Sequence, residues 1–154
     1  MIKENSKAPE FELKNANGDI VKLADFSGRP FILYFYPKDD TPGCTTEACN
    51  FRDDFSRFRE LGIEIVGVSP DSIKSHQKFT EKYKLPFTLL SDEDHKTAEK
   101  YEVWGPKKFM GKEYEGILRT TFLIDKNGKI VKVFKGVKPA NHSKEVLSAV
   151  NELI

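Results

Sequence analysis

Phe31-Ile-Leu-Tyr-Phe-Tyr36-Pro37-Lys-Asp-Asp-Thr41-Pro42-Gly43-Cys44 is the stretch on which the reading of the chain turns. Its first six residues are a continuous apolar and aromatic run, bounded by Gly28-Arg-Pro30 and Pro37, as expected of a strand buried on both faces of a sheet. Thr41 followed by Pro42 is the order of a helix N-cap and its first helical residue. Ala48, Phe51, Phe55, Phe58 and Leu61 then recur at helical spacing until Gly62, which predicts one helix over that span. Strand, loop and helix follow one another directly, and the thiol of Cys44 lies where backbone N–H groups and the helix dipole favour an anion.

Working outward, Ile63-Glu-Ile-Val-Gly-Val68 reads as the next buried strand, Asp71 to about Tyr83 as a helix, and Pro86-Phe-Thr-Leu-Leu90 as a short strand. A short helix is expected near Asp94 to Tyr101. Thr120-Thr-Phe-Leu-Ile124 and Lys129-Ile-Val-Lys-Val-Phe134 flank Asn127-Gly128, a two-residue hairpin signal, and Ser143 to Leu153 has the pattern of an amphipathic helix. An N-terminal hairpin, Phe11 to Leu13 and Ile20 to Leu23, turns at Asn17-Gly18. Setting aside that hairpin and a β-α insertion between Lys84 and Arg119, the order is β-α-β-α-β-β-α. Right-handed crossovers make the first two long strands parallel and the Asn127-Gly128 pair antiparallel. The expected fold class is therefore α/β and thioredoxin-like, a mixed central sheet flanked by helices, with Cys44 beyond a strand's carboxyl end.

The bulk numbers narrow the function classes. With 154 residues and neither repeat nor linker, residues 1–154 read as a single domain. The 25 basic and 24 acidic side chains nearly cancel, so no global charge attracts nucleic acid or an anionic membrane. Met1 to Glu10 lacks an apolar signal region and no apolar run is long enough to span a bilayer, so a cytoplasmic protein is expected. In a reducing compartment a cysteine pair is more often catalytic, redox-active or metal-binding than a permanent cross-link.

Cys44 and Cys49 are the only two cysteines. Four intervening residues, with His76, His95 and His142 scattered over separate elements, match no common zinc-ligand spacing. A thioredoxin-type dithiol needs two intervening residues. Two inert core cysteines remain a further reading, which suits Cys49 better than the Pro/Gly-framed Cys44. On a regular helix, five steps separate their Cα atoms by roughly 8.7 Å, whereas disulfides rarely tolerate more than about 7 Å. A bond between them therefore requires the first turns of the helix to unwind, which suits a transient disulfide.

Pro37-Lys-Asp-Asp-Thr41-Pro-Gly-Cys44 fits the Pro-x-x-x-Thr-x-x-Cys signature of peroxiredoxins. The wider run from Tyr36 to Asp53 resembles the bacterioferritin comigratory protein, or peroxiredoxin Q, branch. Ala8-Pro-Glu-Phe11, Arg119-Thr-Thr-Phe-Leu-Ile-Asp125 and His142-Ser-Lys-Glu-Val-Leu147 extend the likeness over nearly the whole chain.

The resemblance implies a thiol-dependent peroxidase acting on hydrogen peroxide and organic hydroperoxides. It makes Cys44 the peroxidatic cysteine, oxidised to a sulfenic acid, and Cys49 the resolving cysteine of an intramolecular disulfide. Reduction by thioredoxin or a similar dithiol protein is implied, with no bound cofactor, and an in-chain resolving cysteine favours a monomer. Arg119 matches the family's arginine and Thr41 its threonine, which also serves as an N-cap. Backbone N–H groups of Gly43 and Cys44 would bind the peroxide, and Pro37 would shield the thiolate from water. Neighbouring carboxylates raise a thiol's pKa, so Asp39, Asp40 and Glu47 are expected to be solvated or turned away, with Glu47 available to hold Arg119. His142 is expected at the surface or in a cap, Trp104 in the core, and Arg52 and Lys38 at the surface. Two other classes share these residues: a disulfide reductase, opposed by Thr120 where thioredoxins carry a cis-proline, and a redox-sensing binding module.

Overall fold

A computed structural model of the chain describes residues 2–153. The strand that anchors it, β3 (Phe31–Phe35), is buried at every position. Its pleat divides the interior in two: Ile32, Tyr34 and Tyr36 enter one apolar cluster with Cys44, whereas Phe31, Leu33 and Phe35 enter the other. β3 pairs in parallel with β4 (Glu64–Ser69) and antiparallel with β8 (Thr120–Ile124), and β8 pairs antiparallel with β9 (Ile130–Lys135).

β1 (Glu12–Asn15) and β2 (Ile20–Lys22) form the expected N-terminal hairpin. With β5 (Thr88–Ser91) the main sheet has the order β2-β1-β5-β4-β3-β8-β9. One correction concerns β5: it is not part of an appended insertion, because it pairs in parallel with β4 and antiparallel with β1 and so joins the N-terminal hairpin to the sheet.

The helix after β3 is also two elements and not one. α1 (Pro42–Asp53) and α2 (Phe55–Glu60) are separated at Asp54, whose carboxylate accepts a 2.7 Å hydrogen bond from Ser143 Oγ. Leu61, assigned to the apolar stripe, is 44% exposed, and Gly62 takes a positive φ to end the segment. α3 (Ile73–Tyr83) is capped by the Ser72 side chain and stopped by Lys84 in the left-handed region. α4 (Lys96–Lys100) follows β5, and α5 (His142–Leu153) closes the described chain. Residues from α1, α2, α3 and α5 enter the cluster that holds Cys44, while Ala98 of α4 and Tyr101 after it enter the other, so helices cover both faces.

Between α4 and β8 a second, two-stranded sheet that the sequence did not announce is formed by β6 (Trp104–Phe109) and β7 (Lys112–Ile117), turning at Met110-Gly111 with both φ values positive. Trp104 is half-buried, not core: its ring stacks on His95 at 3.8 Å and its indole N–H donates to Glu115. Among the described residues no helix is long and apolar enough to cross a membrane.

Candidate active site

The site begins where β3 ends. Pro37 to Thr41 lead into α1, in which Pro42 occupies the first position, where its missing N–H is no loss. Gly43 and Cys44 occupy the next two, where helix geometry leaves N–H groups without an intrahelical acceptor. Cys44 is 1% exposed and Cys49 is partly exposed, both are free thiols, and both lie on the continuous α1.

Arg119, immediately before β8, organises the site. Its Nη2 donates to Cys44 Sγ at 3.0 Å and its Nη1 to Glu47 Oε1 at 3.0 Å. Gly43 makes this approach possible, since a Cβ there would lie 2.9 Å from Arg119 Nη2. Glu47 is 1% exposed, and burial pushes its carboxyl up to about 7 against the opposing pull of Arg119. Tyr34, beneath the site, is raised too, first by burial and then by the charges of Glu47 and Cys44.

Thr41 stands at the N-cap but does not cap through its side chain. Its hydroxyl donates to the Lys38 carbonyl at 2.9 Å, leaving oxygen lone pairs available. Pro37 is half-buried at the start of the loop. Arg119 thus touches both Cys44 and Glu47, with Gly43 against the guanidinium; Thr41 and Pro37 belong to the same loop without a direct bond to the sulfur among the contacts described.

The two aspartates before α1 are turned away by different routes. Asp39 is not solvated but 7% exposed, accepting from Tyr36 Oη at 2.5 Å and Ser75 Oγ at 2.8 Å and contacting His76 Nδ1 at 2.7 Å. Its backbone N–H donates to Asp71. Asp39, Asp71 and His76 cluster tightly enough to raise the question of a metal. The other ring nitrogen of His76 meets the Leu90 carbonyl at 2.9 Å and Asp71 also accepts from Ser69, so internal bonds already engage these groups. Asp40, as expected, turns outward, to Lys82 and Tyr83. The network ties the loop to α3 and directs both carboxylates away from the thiol.

α1 is fastened on its other sides by Asn50 to the Pro139 carbonyl at 3.3 Å and by Arg52 Nη1 to the Tyr83 carbonyl at 2.8 Å, so Arg52 is half-buried and not a free surface cation. His142 is buried rather than at the surface: Nε2 meets Thr121 Oγ1 at 2.8 Å, Nδ1 meets Glu145 at 2.9 Å, and burial lowers its pKa. It packs edge-on against Phe51 and Phe134, behind α1, and serves the core.

A buried thiol at the first turn of a helix, bonded to a fixed guanidinium on a mixed sheet of this order, defines a thiol-dependent peroxidase of thioredoxin-like fold. Residues 5–133 match the AhpC/TSA family, and the chain belongs to it, as a peroxiredoxin of the Bcp/PrxQ, atypical two-cysteine type. It is 53% identical over 152 residues to peroxiredoxin Bcp of Bacillus subtilis, covering 99% of this chain and 97% of that one. To peroxiredoxin Bcp of Escherichia coli it is 46% identical over 151 residues, covering 98% and 97%. A mutant of Xanthomonas campestris peroxiredoxin Q superposes with a TM-score of 0.88 at 39% identity, covering 92% of this chain and 90% of that one. A structure of the bacterioferritin comigratory protein of the same organism, described for its alkyl peroxide reduction activity, gives 0.87 at 38% identity with the same coverage.

Proposed function

We propose that Cys44 is the peroxidatic cysteine and Cys49 the resolving cysteine of a peroxidase for hydrogen peroxide and alkyl hydroperoxides. The observation that carries the reading is the 3.0 Å contact of Arg119 with the Cys44 sulfur at a helix start. The thiolate attacks the nearer oxygen of ROOH in line, the O–O bond breaks, and the pair leaves on RO⁻, which takes a proton to become water or an alcohol. Arg119 cannot surrender a proton, so its role is to stabilise charge on sulfur and on the departing oxygen, with the N–H groups of Gly43 and Cys44 as further donors. Thr41, fixed by its bond to Lys38, accepts from the incoming hydroperoxide, and Pro37 limits water. Glu47 holds the guanidinium toward the sulfur.

Cys49 then displaces hydroxide from the Cys44 sulfenic acid, giving a disulfide and water. Because both residues lie on one regular helix, this step requires α1 to unwind locally. Thioredoxin or a similar dithiol protein restores both thiols by exchange, without a bound cofactor, and the in-chain partner supports a monomer in the cytoplasm. The test is peroxide consumption with thioredoxin as reductant, followed by mass spectrometry. Cys44→Ser abolishes turnover, whereas Cys49→Ser consumes one equivalent and stalls. Full turnover by the Cys44 variant refutes the assignment, and a disulfide between chains refutes the intramolecular cycle.

A further inference from the structure

We propose that Asp71, at the turn between β4 and α3, is a positioning residue of the peroxidatic site: it clamps the peptide between Lys38 and Asp39 and so aims the Thr41 hydroxyl at the incoming hydroperoxide. The inference rests on the roles given to Cys44 and Thr41 above.

A trans peptide is a rigid plane whose N–H and C=O point in opposite directions, and no peptide among the described residues is cis. The Lys38–Asp39 peptide is held on both sides. Its N–H donates to Asp71 Oδ2 at 2.8 Å, and its carbonyl accepts from Thr41 Oγ1 at 2.9 Å. Rotating the plane to break one of these bonds swings the other out of line. A carboxylate 30 residues further along the chain therefore decides where the hydroxyl at the start of α1 finds its acceptor.

Asp71 is itself fixed. The same oxygen accepts from Ser69 Oγ at 2.6 Å, and the Asp71 N–H donates back to Ser69 Oγ at 3.2 Å. Ser69 ends β4 and is wholly buried. Beyond the peptide plane, the Asp39 carboxylate is gripped by Tyr36, Ser75 and His76, so the residue that carries the N–H cannot drift from α3. Asp40 follows with a φ of 56° and is tied to Lys82 and Tyr83. This left-handed residue turns the chain back, which lets Thr41 reach a carbonyl three residues before it. The loop is thus shaped from β4 and α3, not from within.

The consequence for the chemistry lies in what Thr41 has left to offer. A threonine hydroxyl has one hydrogen and two lone pairs. With the hydrogen committed to Lys38, it meets the hydroperoxide as an acceptor. Once the plane turns, the hydroxyl rotates about its C–O bond and presents a hydrogen where a lone pair is needed. Asp71 touches neither sulfur nor substrate in this scheme; it acts through one peptide and one hydroxyl.

The experiment follows stopped-flow oxidation of Cys44 by hydrogen peroxide in Asp71→Ala, Asp71→Asn, Thr41→Val and the Asp71→Ala/Thr41→Val double variant, all in a Cys49→Ser background. Alkylation by iodoacetamide is the peroxide-free reference. Alanine removes the acceptor, whereas asparagine removes the charge and keeps an oxygen for both Asp39 N–H and Ser69. Asp71→Ala should slow oxidation roughly 10- to 10²-fold while alkylation stays within about twofold. Asp71→Asn should restore oxidation to within about threefold, and Asp71→Ala should cost less than about threefold once Thr41 is replaced by valine, because the two act as a unit. Hydrogen exchange reads the clamp directly: the Asp39 amide loses protection in Asp71→Ala and keeps it in Asp71→Asn. If the alanine variant does not fold, Asp71→Ser, too short to reach the Asp39 N–H, takes its place. Unchanged oxidation in Asp71→Ala overturns the proposal, as does an equal defect in Asp71→Asn, a full cost persisting beside Thr41→Val, or a parallel loss of alkylation, which would assign Asp71 to folding alone. A parent that alkylates but does not react with peroxide refutes the peroxidase reading instead, and the exchange result then still decides the clamp.

Discussion

Replacing Glu47 with Gln tests whether the carboxylate that holds Arg119 is as strained by burial as its position implies. The side chain is 1% exposed, and its pKa is raised to about 7 from an ordinary value of 4.5. Between those two values the folded protein keeps a proton that the unfolded chain has released, so stability falls as pH rises from 4.5 through 7. The interval of 2.5 pH units corresponds to about 3 kcal/mol, with a slope of at most about 1.4 kcal/mol per pH unit. Glutamine cannot titrate and loses this slope. The assay is urea unfolding of Glu47→Gln and its parent at closely spaced pH values from 4 to 8, both in a Cys44→Ser background so that the thiol does not contribute. The stability difference should move in favour of the glutamine variant by about 3 kcal/mol across the window. The altered bond to Arg119 adds a constant offset and leaves the slope untouched. A difference that stays within about 0.5 kcal/mol over the whole range, or that moves the other way, refutes the argument that burial outweighs Arg119 at this carboxylate.

Three further outcomes are expected. Gly43→Ala places a methyl group 2.9 Å from Arg119 Nη2 while suiting a helical backbone; stopped flow should show a loss of up to about 10²-fold in peroxide oxidation of Cys44 with little change in thermal stability, and an unchanged rate would show that the guanidinium relocates freely. Hydrogen exchange should show protection of amides 45–49 lost on forming the Cys44–Cys49 disulfide while β3 and β8 stay protected, and a fully protected oxidised α1 would contradict local unwinding. His142 is held neutral by burial, its folded pKa lying below the ordinary 6.5, so it withdraws stability as pH falls below that value; His142→Gln should flatten the acid limb of the unfolding curve below pH 6.5, and an identical limb would count against a buried neutral imidazole.

What could be read from the chain alone follows from how local each signal is. The uniform apolar run of β3 and the Thr41-Pro42-Gly43 helix start are decided by neighbours in sequence, and they place Cys44 correctly. Arg119 was identified by motif; its meeting with the sulfur depends on β8 pairing with β3, with Phe35 opposite Thr120. The division between α1 and α2 was hidden because Phe51, Phe55 and Phe58 keep helical spacing across it, while the bond seen at the break comes from Ser143, 89 residues away. The β6–β7 ribbon was missed because lysines occupy both of its faces, leaving no clean alternation to detect. His142 was misplaced toward the surface because its partner Thr121 and the rings of Phe51 and Phe134 meet it only in three dimensions.

The interruption at Asp54 bears on what the proposed cycle demands of the rest of the molecule. A single helix running to Leu61 would be one cooperative element, and melting its first turns would strain everything fastened to its far end. With the chain divided there, α1 is a cartridge of twelve residues bounded by a proline at one end and a break at the other. Beyond the break, α2 remains seated through the fully buried Phe58. Asp54 thus works as a firebreak, confining disorder to the segment that carries both sulfurs and leaving the frame to which α1 returns unaltered.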